Sequence, residues 1–348
     1  MVVAARLYHA ALEQVAHLTQ SMAQHGLSVR VLIQSPCYHP DLVALTQVAV
    51  CQFEQGMRGA ALELEFHGLQ GVHDVEPVQM ALVFPSKQKQ QSKYWIAKAW
   101  QRLEVGGVLL LCCENQYGAK SYDDFLALLS GNARSSSKSK TRLVVAMRTE
   151  ENLADEASNA LLQRSLDEGE MQQVTDGFCS QPGLFSWDRI DVGSAMLMAC
   201  LPSSLAGVGL DLCCGYGVLS RWVASHCAAV EKLYLLDVDQ RALACAEKNM
   251  AKFELPIAYL WLDAAVEALP TGVDFVVCNP PFHSGQSRDV QLGQTIVARA
   301  CQHLKKGGLL YLVANRQLPY EQIVKRYCPS FEVVKQASGF KVIKGVVE

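Results

Sequence analysis

At 348 residues the chain exceeds what one hydrophobic core usually organises, so two domains are expected. Half of the residues are hydrophobic and 19% are charged, which excludes a disordered chain. A formal net charge of −3 excludes a global positive field, and any nucleic-acid partner has to be held by local patches.

Strand-like apolar runs alternate with helical stretches along the whole chain, the pattern of a parallel sheet covered by helices on both faces. In the first half the runs at 29–33, 80–84, 108–111 and 143–147 read as strands. The tract 135–140, Ser-Ser-Ser-Lys-Ser-Lys, is low in complexity and reads as a mobile loop. Residues 151–184 open with a run of acids carrying few large apolar side chains and read as a solvated, partly helical linker. In the second half strands are expected at 209–212, 232–236, 257–261, 275–278, 309–313 and 331–335. The chain thus divides into a domain at 1–150, an acidic linker at 151–184 and a domain at 185–348. The halves echo one another. An apolar run ending in Pro85 precedes a helix, Gly106-Gly107 and a strand, and a run ending in Pro280 precedes a helix, Gly307-Gly308 and a strand. Two related α/β domains in tandem are the expectation.

The 13 cysteines are odd in number and several sit inside apolar runs, so they read as buried reduced thiols. There is no Cys-x-x-Cys pair and no His/Cys cluster at zinc spacing, and no metal is expected. Met1 is not followed by a leader-like apolar core, and no apolar run approaches the ~20 residues that span a bilayer. A cytoplasmic protein without a membrane partner is expected.

Chemistry begins at 209–220, an apolar strand entering a glycine turn and then a helix. Gly215 and Gly217 let the backbone approach a ligand with no Cβ in the way. A dinucleotide fingerprint would carry glycine or alanine at its third position to seat a pyrophosphate, but Ser220 stands there. Asp211 at the strand end instead suits a cationic amino group, and so a nucleoside bearing an amino acid. Asp237-Val238 closes the next strand, where a carboxylate accepts from ribose hydroxyls, and Asp263-Ala264 follows the third, within reach of an adenine amine.

The fourth strand runs into Asn279-Pro280-Pro281-Phe282, the most specific feature of the chain. Two prolines fix φ and present rigid carbonyls beside the Asn side chain. An acceptor pair, the Asn279 oxygen and the Pro280 carbonyl, is suited to hold both hydrogens of an exocyclic amine while Phe282 stacks on the base.

Asp211, Gly215, Gly217 and Asn279-Pro-Pro-Phe282 together resemble class I S-adenosylmethionine-dependent methyltransferases acting on amines, whose signature is (Asp/Asn)-Pro-Pro-(Tyr/Phe). Further matches at Gly183-Leu-Phe-Ser, Asp191-Val-Gly193, Gly217-Val-Leu-Ser220, Asn279-Pro-Pro-Phe-His283 and Gly339-Phe-Lys-Val342 make the chain similar to the bacterial ribosomal RNA small-subunit guanine-N2 methyltransferases, the RsmC family. The resemblance implies two tandem Rossmann-like methyltransferase domains, the first degenerate and without a cofactor. It further implies S-adenosylmethionine as cofactor, 16S ribosomal RNA or the assembled small subunit as partner, and Phe185, Asp191 and Gly193 as a lid over cofactor or substrate. Cys213 departs from it, since the family carries glycine there, and a side chain at that point crowds the methionine part of the cofactor. Three other readings stay open: a large-subunit rRNA guanine-N2 methyltransferase, a protein glutamine N5 methyltransferase and a non-catalytic RNA-binding module. In the first half, Lys87, Lys89 and Lys93 are the candidate RNA contacts.

Overall fold

The computed structural model describes residues 2–22, 28–72, 77–281 and 287–348. Two compact units divide the chain, Met1–Glu170 and Met171–Glu348.

The first unit opens with α1 (Val2–Met22), β1 (Arg30–Gln34), α2 (Pro40–Val48), β2 (Val50–Glu54) and α3 (Arg58–Phe66). It continues through β3 (Val78–Val83), α4 (Lys89–Arg102), β4 (Leu103–Glu114), α5 (Ala119–Ser130), β5 (Arg134–Lys138), β6 (Thr141–Met147), α6 (Glu150–Ala154) and α7 (Glu156–Gly169). Its six strands lie in the order β2-β1-β3-β4-β6-β5. The first four are parallel, and β6 runs antiparallel to both β4 and β5. Apolar runs buried on both faces are what a helix-covered parallel sheet requires. Within β1, Val31 and Ile33 enter one core while Leu32 enters the other.

Two expectations need correction here. The serine-rich tract is a hairpin, not a mobile loop: Ser139 and Lys140 both take positive φ (50° and 59°), the two-residue turn that matches strand twist. Arg6 of α1 fastens it, donating to the Ser136 carbonyl at 2.8 Å and the Thr141 carbonyl at 2.8 Å. Nor is the acidic stretch a solvated linker as far as residue 170. Thr149 and Asn152 form a reciprocal cap on α6, Asp155 caps α7, and acids in both first turns favour the helix dipoles. Leu161 and Leu162 then pack on the core, and the Tyr94 hydroxyl reaches Glu170 Oε1 at 2.6 Å. The boundary falls at 170/171, where the packing ends, rather than across 151–184.

The second unit begins with a two-stranded ladder, β7 (Gln172–Gln173) and β8 (Cys179–Ser180), and then α8 (Val192–Met198). There follow β9 (Ala206–Leu212), α9 (Val218–His226), β10 (Ala229–Asp237), α10 (Gln240–Met250), β11 (Ile257–Trp261) and β12 (Val273–Cys278). The unit ends with α11 (Ser287–Gln302), β13 (Leu304–Asn315), α12 (Glu321–Tyr327), β14 (Ser330–Ala337) and β15 (Phe340–Val346). Strand order is β11-β10-β9-β12-β13-β15-β14, with β15 antiparallel to β13 and β14. The expected all-parallel sheets are therefore mixed at one edge, because a tight hairpin joins only antiparallel neighbours. Removing β11 leaves the strand order of the first unit, so the echo in the sequence is a repeat of topology. Both units are Rossmann-like α/β sheets.

The repeat extends to register but not to packing. Val31 pairs with Met80 where Gly209 pairs with Phe275. A Cβ on Gly209 would lie 2.2 Å from the Phe275 ring, so the phenyl fills the room that glycine leaves. Among the described residues no helix is long and apolar enough to cross a membrane.

Candidate functional site

β9 ends at the carboxyl edge of its sheet, and the chain leaves it through a turn that few side chains tolerate. Cys213 takes φ 63°, Gly215 φ 54° and Gly217 φ 85°. For cysteine the left-handed region costs roughly 1–2 kcal/mol, which glycine avoids. Gly217 is doubly constrained: it caps α9, and a Cβ would sit 3.2 Å from Ala246 of α10.

Two carboxylates hold the turn from below. Asp237 accepts from Gly215 N through Oδ2 (2.8 Å) and from Asp239 N through Oδ1 (2.9 Å). Asp211, 0% exposed, accepts through Oδ2 from Ser220 N (3.0 Å) and Ser220 Oγ (2.6 Å), fixing the first turn of α9. Its Oδ1 is buried without a partner among the described residues. Burial pushes Asp211 up to about 7 against the pull of the Ser220 hydrogen bonds, and the Asp237 charge adds to the rise. Burial likewise lifts Asp237 to about 6, opposed by backbone N–H donors from Asp239 and Gly215. Two carboxyls that ionise reluctantly side by side suit a cationic ligand, whose arrival favours both charges.

Tyr216, between the two glycines, donates to the carbonyls of Ser186 (3.2 Å) and Arg189 (2.9 Å), tying the segment ahead of α8 to the turn. Burial raises its hydroxyl to about 12, so it stays a donor. Asn249 of α10 braces the same turn from behind, donating to Tyr216 O at 2.8 Å and to Cys179 O at 2.8 Å.

Asn279 follows β12, whose Cys278 pairs with Leu212, so the amide stands beside the turn. Nδ2 donates to Ser194 Oγ (2.9 Å) and Asp191 Oδ2 (3.2 Å); Oδ1 is buried and meets no partner among the described residues. Asp191 also caps α8, accepting from Ser194 N at 3.0 Å. Pro280 is buried and Pro281 exposed. The expected stacking residue, Phe282, lies outside the described residues.

The glycine turn, Tyr216, Asp191, Ser194 and Asn279 border a cleft open to solvent. Of the residues singled out from sequence, Phe185, Asp191, Cys213, Gly215 and Asn279 line it. Phe185 is 60% exposed at the rim. Ser186, Val218 and Leu219, which fall within the motifs without an expected role, line it too, as do Ser194, Cys214 and Tyr216, which were not foreseen. Ser194 carried a usable signal, since it stands three residues after the capping Asp191. Asp211 is off the wall, turned into α9 rather than presented to a ligand directly. Gly193 works by absence of a side chain: a Cβ would lie 2.9 Å from Asp191 Oδ2. At neighbouring strand ends, Val238 O accepts from Trp261 Nε1 at 3.0 Å, Asp263 Oδ1 accepts from Ala265 N at 2.9 Å, and Ala264 is buried. No group of three or more metal-ligating side chains occurs among the described residues.

The first unit keeps the path of the turn with other chemistry. Ser35 leaves β1 at φ 56°, as Cys213 leaves β9, but Pro36 follows it. After β2, where the second unit has Asp237, Gln55 donates its amide to Pro36 O at 2.8 Å. Phe84-Pro85-Ser86 occupies the register of Asn279-Pro-Pro. Lys87 and Lys89 are exposed, Lys87 lying 4.6 Å from the Tyr117 ring centre, and Lys93 is half-buried over Phe125 at 5.3 Å.

Residues 175–344 match the Methyltransferase small domain family. The ribosomal RNA small subunit methyltransferase C of Pseudomonas paraeruginosa is 33% identical over 81% of this chain and 84% of its own length. The protein of that name from Salmonella paratyphi A is 29% identical over 79% and 77%. A solved structure of the Thermus thermophilus 16S rRNA N2 G1207 methyltransferase, in complex with AdoMet and guanosine, superposes with a TM-score of 0.74 at 20% identity, over 92% of this chain and 89% of that one. That likeness establishes the fold.

Proposed function

Because the chain belongs to the ribosomal RNA small subunit methyltransferase C family, we propose that it methylates the exocyclic N2 amine of a guanine in 16S ribosomal RNA. The observation that carries this reading is Asn279, with its amide nitrogen anchored and its oxygen buried beside the glycine turn, without a partner among the described residues. The methyl donor of the reading is S-adenosylmethionine, which supplies an electrophilic sulfonium methyl. The residues present fit it: an acidic pair for a cationic ligand, a turn open to a flat nucleoside, and a carboxylate at the end of β10 with lone pairs left for ribose hydroxyls.

An aromatic amine is a weak nucleophile because its lone pair is delocalised into the ring. Asn279 Oδ1 and the Pro280 carbonyl each accept one amine hydrogen, which turns the nitrogen out of conjugation and fixes its direction of attack. Catalysis is chiefly positioning, and misplacement by about 1 Å costs ~100-fold. Asp237 holds Gly215 and would accept from the ribose hydroxyls, while Asp211, when ionised, would favour a cationic ligand through the field it adds behind the turn. The first unit serves as the RNA-positioning part, with Lys87, Lys89 and Lys93 on phosphates. A ribosomal RNA substrate places the reaction in the cytoplasm.

The experiment is to incubate the chain and labelled donor with small and large subunits from a strain lacking the gene, and to map the methylated nucleotides. N2-methylguanine confined to 16S RNA is expected, and comparing naked RNA with assembled subunits identifies the true substrate. Label in large-subunit RNA or on a protein glutamine overturns the proposal.

A further inference from the structure

The two ends of the Asn279 amide have opposite surroundings. Two acceptors face Nδ2, Ser194 Oγ at 2.9 Å and Asp191 Oδ2 at 3.2 Å, while Oδ1 is buried and faces none of the described donors. Rotating the amide by 180° would set its oxygen against a carboxylate and a hydroxyl oxygen and turn two N–H groups toward the substrate. The Ser194 hydroxyl can turn to donate to that oxygen, but the Asp191 carboxylate cannot, so its repulsion and the loss of its charge-assisted hydrogen bond select against that state.

The acceptors are themselves fixed. The Asp191 carboxylate caps α8 through Ser194 N at 3.0 Å. At Gly193 a Cβ would meet Asp191 Oδ2 at 2.9 Å and the Phe340 ring at 3.1 Å, so only glycine lets α8 begin this close to both. The run Asp191-Val-Gly-Ser194 therefore forms one small device, in which a cap, a gap and a hydroxyl converge on a single amide.

We infer that Asp191 and Ser194 are positioning residues that set the polarity of Asn279 and so restrict the reacting atom to a hydrogen-bond donor. This rests on the amine-methylation reading and deepens it. With Oδ1 outward, the site receives the N2 amine of guanine and turns away O6, which offers only lone pairs to a carbonyl that cannot donate. A pure capping role would leave rates per folded molecule untouched. The positioning role does not.

The test uses the full chain, small subunits lacking the modification, calorimetry for donor affinity and single-turnover methylation. Ser194→Ala and Asp191→Asn should each slow transfer ~10-fold with donor affinity held within about twofold. Asn caps a helix as well as Asp does, so Asp191→Asn spares α8. Ser194→Thr, which keeps the hydroxyl, should restore most of the rate lost in Ser194→Ala. Asn279→Asp sets two carboxylates face to face and should slow transfer ~100-fold. Adding Asp191→Asn to it removes one of the two facing charges while its oxygen keeps the cap, and should recover about tenfold. An active wild type with a double variant no faster than Asn279→Asp, or with Ser194→Ala at full rate, overturns the positioning role alone. A wild type that puts no methyl on guanine N2 overturns the functional reading and this role with it.

Discussion

Replacing Asp211 by asparagine should change the stability of the ligand-free protein in a direction that depends on pH. The carboxyl is fully buried, and its pKa rises from the ordinary value near 4 to about 7. The folded state then holds the proton more tightly than the unfolded chain, so the stabilising protonation is complete at low pH and is lost as pH rises through 7. Three pH units at ~1.4 kcal/mol each amount to ~4 kcal/mol of destabilisation carried by the ionised group above pH 7. An asparagine oxygen still accepts from Ser220 N and Oγ. Its NH₂ replaces Oδ1, which has no partner among the described residues, and a buried donor of that kind costs ~1–3 kcal/mol. Asp211→Asn should therefore lose ~1–3 kcal/mol at pH 4 and gain ~1–3 kcal/mol at pH 8, with the difference growing by ~1.4 kcal/mol per unit between the ordinary pKa near 4 and about 7 and levelling off beyond. Urea unfolding of both proteins at several pH values measures it. A difference independent of pH would refute a buried, reluctantly ionised carboxyl beneath the turn.

Asn279→Ala should leave donor affinity unchanged and slow methyl transfer at least ~100-fold, since one acceptor aimed at the reacting group is removed. Near-wild-type turnover would remove Asn279 from catalysis. Asp237→Ala should weaken donor binding by ~1.5–3 kcal/mol, the scale for hydrogen bonds to a charged group, and calorimetry reads it directly. Neutralising Lys87, Lys89 and Lys93 together should lower the slope of log affinity for RNA against log salt by ~2, as expected for three lost phosphate contacts. An unchanged slope would assign the first unit to another task.

Much of the fold was written in its apolar runs, because a strand buried on both faces announces itself in a row such as Leu109-Leu110-Leu111. What escaped was held by partners rather than by propensity. β5 is Arg-Ser-Ser-Ser-Lys with every residue exposed, and pairing to β6 and the Arg6 guanidinium hold it as a strand. β2, with Gln52 at its centre and five residues in all, lacks a run long enough to notice. The acids of 150–156 read as solvated when their use is at helix starts. In the site, the glycine turn and the Asn-Pro-Pro motif were legible since their spacing is local. The cap hinted at Ser194, but its contact with Asn279 was hidden, because the two meet across a sequence separation of 85 residues. The inward turn of Asp211 was hidden for a related reason, as burial belongs to the fold and not to the residue.

One polypeptide carrying the same strand order twice faces a hazard while it folds: each sheet offers a berth to the other's strands, and the backbone cannot tell them apart. The paired positions Val31 with Met80 and Gly209 with Phe275 supply a lock and key at the centre of each sheet. Were β1 to dock beside β12, Val31 would drive its branched side chain into the phenyl ring. In the converse exchange, Gly209 beside Met80 would leave a hole. Either error sacrifices core packing worth a few kcal/mol, so the fit of one large side chain over one missing side chain also serves as proofreading for assembly.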